Sequence, residues 1–535
     1  MTNTMQPIFI LPEETRQTTG KDAQRNNIAA AKAVAQAVRT TLGPKGMDKM
    51  IVDSVGDITI TNDGVTILTE MQIEHPAAKM VVEIAKAQEN AVGDGTTTAV
   101  VLAGELLKKA ENLLDQDIHP TVLAKGYRLA EAEAQKILQR EAELVTIHDE
   151  QILKNIAITA MTGKGAEASK DKLAELIVAA VRMVAEGNNI SQNNIKIELL
   201  VGDSSGHSEL VAGLVIDKEK AHSGMPGRVE NAKIALLDSP LEIKNTEIEA
   251  KIQITDPSQL NSFLEMEERT LRQMAETILS SGATVLFSQR GIDDLVQHFL
   301  AKAGVLAVRR VTKSDLEKLA QASGARIVSN WKELASSDLG AAGLVREETI
   351  GNEQMLFIER CPNPKAVTIL VKGGTEHVAE EIKRAVVDAI GDLAAAIKLG
   401  KVVAGAGAIE IKLAKGLRSY ANSLTGREQL AVQAFAEAME IIPKTLAENA
   451  GLDSLDIVTK LRVAAEKWPG VNVFTGEVMD AWLAGVIEPL KVKTQALSSA
   501  VEVAEMIIRI DDVIVGGNKK QLPPPSMAPG MGMMP

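Results

Sequence analysis

Two helix-rich blocks at opposite ends of the chain enclose a stretch with a different rhythm, and this limits the fold more than any other feature. Residues 22 to about 140 carry successive helical patterns. The first, 22–41, can be capped by Asp22 and carries Ile28, Ala31, Val34 and Val38 on one stripe. Patterns at 76–91 and 120–140 open on Pro76 and Pro120, and another spans 97–114. Helical patterns return at 408–421, 427–441, 453–466 and 491–508. Between the blocks, 234–237, 284–287, 305–308 and 325–328 read as buried strands alternating with helices at 293–302 and 313–322. The two ends are therefore expected to share one core, with the α/β stretch carried as an insertion. A chain of 535 residues has room for two to four domains. The expectation is a multidomain α+β protein: 1–148 and 402–515 form a mainly helical domain, 149–217 and 368–401 a small connector, and 218–367 an α/β domain. Residues 516–535, rich in Gly, Met and Pro, form a disordered tail.

Composition excludes several functions. A formal charge of -13 argues against a nucleic-acid partner, and 2% aromatic residues leave little for base stacking. A single cysteine, Cys361, rules out an internal disulfide and fits a reducing compartment. No export signal and no membrane-length apolar run is visible, so a cytoplasmic protein without a membrane partner is expected.

The chemistry gathers at glycine-rich corners. In Gly93-Asp94-Gly95-Thr96-Thr97-Thr98 two glycines bracket a carboxylate just before an apolar helix. Glycines permit close approach, a helix start offers unpaired N–H groups, and Asp94 is a hard oxygen ligand suited to Mg²⁺. This arrangement can hold a metal-bound polyphosphate; a turn with a threonine cap is the plainer alternative. Leu42-Gly43-Pro44-Lys45-Gly46 ends the first helix and places a lysine beside exposed amides. Asp63, in Thr61-Asn62-Asp63-Gly64 after a hairpin at 51–60, can orient water or simply make an Asp-Gly turn. Lys164 is either a phosphate sensor or an exposed loop lysine. Asp388 lies inside an Ala/Val-rich helix, 376–399; buried it needs a partner, but it can also face solvent. Gly405-Ala406-Gly407 makes another small-residue corner. Leu260, Phe263 and Leu264 lie early in a long helix, 257–280, which either protrudes or packs on the α/β domain. No Walker A loop, dinucleotide fingerprint, zinc-protease histidine pair or serine elbow is present.

Taken in order, these motifs become specific. Leu42-Gly43-Pro44-Lys45-Gly46-Met47-Asp48-Lys49-Met50, Thr61-Asn62-Asp63-Gly64, the corner at 93–98, Lys372-Gly373-Gly374-Thr375-Glu376, Asn449-Ala450-Gly451-Leu452-Asp453 and Arg509-Ile510-Asp511-Asp512 together resemble the chaperonin family, in its group II, thermosome-like archaeal branch. The resemblance spans about 17–515. It implies a mainly helical equatorial domain, a small intermediate domain, and an α/β apical domain with a helical protrusion at about 245–275. It also implies two stacked rings of eight or nine like or related subunits that fold client polypeptides inside a cavity, driven by hydrolysis of ATP to ADP.

Position by position, the resemblance implies Asp94 as the Mg²⁺ ligand and Asp63 and Asp388 as catalytic residues that position water. Gly93, Gly95, Thr96, Thr97 and Thr98 would line the phosphates, opposed by Leu42, Gly43, Pro44 and Lys45. Lys164 would sense the terminal phosphate. Gly405 and Gly407 would lie near the sugar, and Glu488 would contact ribose or base. Leu260, Phe263 and Leu264 would meet clients or the lid. Two departures stand out: Ala406 where the family has a third glycine, tolerated if its φ is negative and strained otherwise, and an unusual Gly/Ser/His-rich stretch at 201–226. They motivate one alternative, an ATP-binding ring subunit that hydrolyses little. A small-molecule kinase is another, but no acceptor pocket is visible for it.

Overall fold

The computed structural model describes residues 16–52, 56–201, 208–243, 257–350, 353–362 and 364–515. Two blocks from opposite ends of the chain interleave into one helical body. The first block gives Gly20–Arg39, Pro76–Ala91, Thr96–Leu114 and Pro120–Glu141. The second gives Ala408–Ala421, Glu428–Met439, Ile441–Asn449, Ser454–Val463 and Leu490–Ile508. Pro76 and Pro120 stand at helix starts, where a missing N–H is harmless, and His75 and His119 cap them by accepting from Ala77 N–H and Thr121 N–H. Thr96–Leu114 runs through the centre with Val100, Ala103, Leu106 and Leu107 fully enclosed.

With few aromatics, the body packs on small residues. A Cβ on Gly104 would sit 2.3 Å from Ala35 Cβ, and one on Gly126 would sit 2.4 Å from Ala431 Cβ, so both glycines permit close helix crossings. Tyr127 meets Phe435 edge to face at 5.5 Å and donates to the Leu106 carbonyl at 2.8 Å. The ends are tied by antiparallel pairing of Arg16–Thr19 with Asp512–Val515.

A middle unit forms where the chain leaves and re-enters the body. Helices Glu150–Met161, Lys170–Val184 and Glu376–Leu399 share one core that includes Leu153, Ile177, Ile382 and Leu393. They cover a small sheet in which Val367–Gly373 pairs in parallel with Ile195–Val201 and antiparallel with Glu209–Val211. Beyond it lies an α/β unit with the sheet order Leu306–Val308, Val285–Ser288, Arg228–Leu237, Gly340–Ile350, Glu353–Glu359, Gly213–Ile216; Ile327–Val328 also pairs with Arg228–Leu237. Its strands Val285–Ser288 and Leu306–Val308 are buried along their whole length and, apart from Ser288, apolar, as burial on both faces requires. Lys196 of the middle sheet is linked to Asp315 of the α/β unit at 2.9 Å.

The structure differs from the sequence expectation in several places. Thr19, not Asp22, is the first N-cap, and Asp22 sits in the first turn. The pattern at 427–441 is the helix Glu428–Met439, and a further helix that was not anticipated, Ile441–Asn449, follows it with Pro443 in its first turn, where a missing N–H is tolerated. The hairpins Gly340–Ile350/Glu353–Glu359 and Pro469–Asn472/Glu477–Asp480 were not anticipated. Neither was Lys401–Ala404, held between Glu143–Leu144 and Ile487–Pro489. Helix Pro257–Ser281 is present. Residues 245–256 of the protrusion expected at about 245–275, the side chains of Leu260 and Phe263, residues 202–207 of the unusual stretch 201–226 and the tail from 516 lie outside the described residues. Leu264 is exposed.

Candidate functional site

The corner before the central helix is built by its glycines. Gly93 and Gly95 have φ of 95° and 79°, and Gly95 is the N-cap of Thr96–Leu114. A Cβ on Gly95 would lie 2.6 Å from Val492 Cγ1. Gln88 fixes the loop by donating to the Asp94 carbonyl at 2.7 Å and the Val492 carbonyl at 3.2 Å. Thr96, Thr97 and Thr98 are thus the first turn itself, with amides that no earlier helical carbonyl can satisfy.

Asp63 caps the short helix Gly64–Glu70. It accepts from Thr66 N–H at 2.9 Å, Thr66 Oγ1 at 2.7 Å and Thr96 Oγ1 at 3.3 Å. Opposite, Gly43 turns at φ 82° against Leu446, and Asn449 pins the turn by donating to the Leu42 carbonyl at 2.9 Å. The middle unit rests on this turn. Gly163, at φ 81°, approaches so closely that a Cβ there would lie 2.8 Å from Pro44 Cα, and its carbonyl accepts from Asn62 at 2.8 Å.

Within the middle unit Lys164 pairs with Asp388 at 2.5 Å, and across the seam it reaches Asp94 at 3.4 Å. Lys164 is therefore not a free surface lysine, and Asp388 is buried at 8% exposure rather than on the solvent face. Burial pushes the Asp388 carboxyl up to about 7; Lys164 pulls it down, while Asp94 and Asp63 add to the rise. Burial works against the Lys164 charge, but Asp388 and Asp94 outweigh it and hold the ammonium well above its ordinary value. Glu89 is raised to about 8 by burial and by Asp388, Asp63 and Asp94. Asp392, one turn beyond Asp388, is also held well above the ordinary carboxylate range, by burial and by Asp94.

These groups border a cavity of about 480 Å³, within the size range of small-molecule sites. Leu42, Gly43, Pro44, Asp63, Asp94, Gly95, Thr96, Thr97, Thr98, Lys164, Gly407 and Glu488 all line it. Asp388 stands behind Lys164. Gly93 supports the loop from beneath, 3.7 Å from Gly391 Cα when given a Cβ. Gly405 lies under Glu488, since a Cβ there would be 2.4 Å from Glu488 Oε1. Lys45 does not line the cavity; it is exposed, with its ammonium 5.1 Å from the Phe474 ring centre. Ala406 does line it, and its φ of 52° is the strained case.

Sequence reasoning missed the hairpin wall of Val471, Asn472, Val473, Phe474 and Met479, and also Glu89, Asp392, Lys170 and Lys493. Asp392 had a readable signal: two carboxylates four apart share a helix face. A larger cavity of about 990 Å³, lined in part by Asp238, Met266, Met274 and Trp331 of the α/β unit, shares no residue with this one.

The arrangement suits a polyphosphate with a metal: helix-start amides, one hard carboxylate, a buried ammonium and a carboxylate that titrates near neutrality. Residues 34–518 match the TCP-1/cpn60 chaperonin family. The chain is 60% identical over 520 residues to thermosome subunit beta of Methanothermobacter thermautotrophicus, covering 97% of this chain and 96% of that one. It is 60% identical over 516 residues to thermosome subunit beta of Archaeoglobus fulgidus, covering 95% of each. It is 58% identical over 515 residues to thermosome subunit alpha of the same organism, covering 95% of this chain and 94% of that one.

Proposed function

The chain belongs to the TCP-1/cpn60 chaperonin family, and on that premise we propose how its cavity drives an ATP-dependent folding machine. The protein is a chaperone that hydrolyses ATP to ADP and phosphate and folds client polypeptides enclosed by its rings. The observation that carries the site assignment is Lys164, paired with Asp388 inside the middle unit, reaching Asp94 of the body across the seam. Amides of the turn at Thr96 and of the Gly43 turn receive the phosphates. Asp63, held by Thr66 and Thr96, and Asp388 align the attacking water, and a carboxylate poised near 7 can accept its proton. Lys164 draws the middle unit onto the terminal phosphate, so that occupancy is felt outside the body.

Asp94 fits Mg²⁺ as a hard oxygen donor, and Mg²⁺ there would offset phosphate charge. Among the described residues no group of three or more His, Cys, Asp or Glu side chains is placed to hold a metal alone. That suits an ion which keeps phosphate and water ligands.

In this reading the body is the equatorial domain, the middle unit the intermediate domain and the α/β unit the apical domain, with the boundaries expected above. Two stacked rings of eight or nine subunits follow, in the cytoplasm. Among the described residues no helix is long and apolar enough to cross a membrane. The hairpin Lys49–Val52/Ile58–Thr61 supports lateral assembly, because Met50, Val52, Ile58 and Ile60 are exposed on a two-stranded ribbon with open edges. Leu264, with Leu260 and Phe263, belongs to the client-facing or lid segment. Phosphate release by purified protein with and without Mg²⁺, run beside refolding of a denatured client, tests the reading. Both activities should depend on ATP and Mg²⁺; binding of ATP without turnover would favour an auxiliary subunit. Electron-microscope images of the particles would give the subunit number per ring.

A further inference from the structure

Beside Glu488 on the cavity wall lies a buried cation that the mechanism above does not use. Lys493, in the first turns of Leu490–Ile508, is 6% exposed. Its ammonium lies 2.6 Å from Glu488 Oε2 and 3.0 Å from Glu410 Oε1. Glu410, in the first turn of Ala408–Ala421, is 2% exposed, and its Oε2 has no hydrogen-bond partner. Glu488 alone of the two carboxylates lines the cavity. One of its oxygens is held by Lys493; the other, Oε1, lies over Gly405, within 2.4 Å of where a Cβ would stand. The carboxylate is thus clamped between an ammonium and a backbone that leaves room only because residue 405 has no side chain.

Burial pushes the Glu488 carboxyl up, Lys493 pulls it back and Glu410 pushes it up again. Two buried carboxylates without the ammonium between them would not both remain ionised. Protonation matters chemically: an ionised carboxylate only accepts hydrogen bonds, whereas a protonated one also donates.

We propose that Lys493 is a positioning residue that holds Glu488 as an oriented, accept-only carboxylate for a ribose hydroxyl, and so sets a preference for ribonucleotides over deoxyribonucleotides. This rests on the reading of Glu488 as the contact to ribose or base, and takes the ribose. A charge-assisted bond of this kind is strong enough to give roughly a tenfold preference.

The test compares KM for ATP, 2′-deoxy-ATP and 3′-deoxy-ATP in the assembled full chain and in K493M, K493R, E410Q and E488Q. Wild type should favour ATP over at least one deoxy analogue by about tenfold. K493M should raise KM for ATP and leave that analogue's KM within about twofold, erasing the preference; K493R should restore most of it. E410Q gives Lys493 wholly to Glu488 and should keep or sharpen the preference, a readout that survives if K493M does not fold. An equal rise in both KM values in K493M marks a purely structural lysine and overturns the proposal. A preference erased in E488Q but intact in K493M overturns the role of Lys493 alone. A preference intact in E488Q overturns the sugar contact and this proposal together.

Discussion

Replacing Gly163 by alanine should uncouple nucleotide binding from hydrolysis. Gly163 sits at φ 81°, and an added Cβ would meet Pro44 Cα at 2.8 Å and the Gly43 carbonyl oxygen at 2.9 Å. Both neighbours are backbone, so no rotamer change relieves the contact. Carbon atoms settle at roughly 3.5 Å or more, so the seam must open by about 0.7 Å. Lys164 and Asp388 both belong to the middle unit and keep their 2.5 Å pairing. Asp94 belongs to the body. Its 3.4 Å separation from Lys164 would grow to about 4.1 Å, past ion-pair contact. Asp388 would shift by the same amount relative to Asp63.

Misplacement of about 1 Å can cost on the order of 100-fold, so kcat should fall roughly 10- to 100-fold. The body still supplies the phosphate amides, so binding of a fluorescent ATP analogue should change by less than about threefold, equivalent to roughly 0.7 kcal/mol. Gly187 is the control: it has φ 64° but open space around its Cβ position. Its alanine variant carries the backbone strain without moving the seam and should turn over normally. A kcat for G163A within about twofold of wild type, a difference of only about 0.4 kcal/mol in barrier, would refute the closure argument.

Other outcomes follow from single environments. Asp388 must be ionised to take a proton, and its carboxyl is raised to about 7 by burial and neighbouring carboxylates, so kcat should be full above that pH and fall as pH drops through it; a flat profile from about pH 6 to 8 would argue against Asp388 as the base. The same upward shift stabilises the fold only on the acid side: the benefit is complete below the ordinary carboxylate range and is lost as pH rises through about 7. At Ala406, φ 52° favours glycine while chain entropy favours alanine, so A406G should move stability by less than about 1 kcal/mol, whereas A406V should lose about 1–3 kcal/mol, read by chemical denaturation. Glu440 is fully buried and holds Arg418 at 2.7 Å and Arg462 through Nε at 2.7 Å. Because both arginines retain solvent access, E440Q should cost about 1–3 kcal/mol in the same assay, short of the loss expected for a fully enclosed pair.

The helical body was legible because its signals are local. Pro76 and Pro120 announce helix starts, and Glu376–Leu399 carries an unbroken periodic pattern between Thr375 and Gly400. The hairpin Pro469–Asn472/Glu477–Asp480 was not legible, because four-residue strands with Gly470 and Asn472 carry almost no period. Its loss hid one wall of the cavity. Lys164 and Asp388 were suspected one at a time, but their pairing spans 224 residues and no periodicity reports it. Lys45 shows the opposite failure: a lysine in a glycine-rich corner suits phosphate by type, yet the turn leaves it outside, over Phe474. Ala406 could be posed only as a question about φ, which the backbone answers.

The most direct test of a composite site shared by body and middle unit is phosphate release by a variant in which Asp63 and Asp388 are both alanine, measured beside binding of labelled ATP to the same particles. Asp63 comes from the body and Asp388 from the middle unit, and neither forms the phosphate-binding turns. The double variant should bind ATP and release essentially no phosphate, with turnover down by at least about 100-fold. Hydrolysis at the wild-type rate would contradict the assignment of both carboxylates and the composite site built from them.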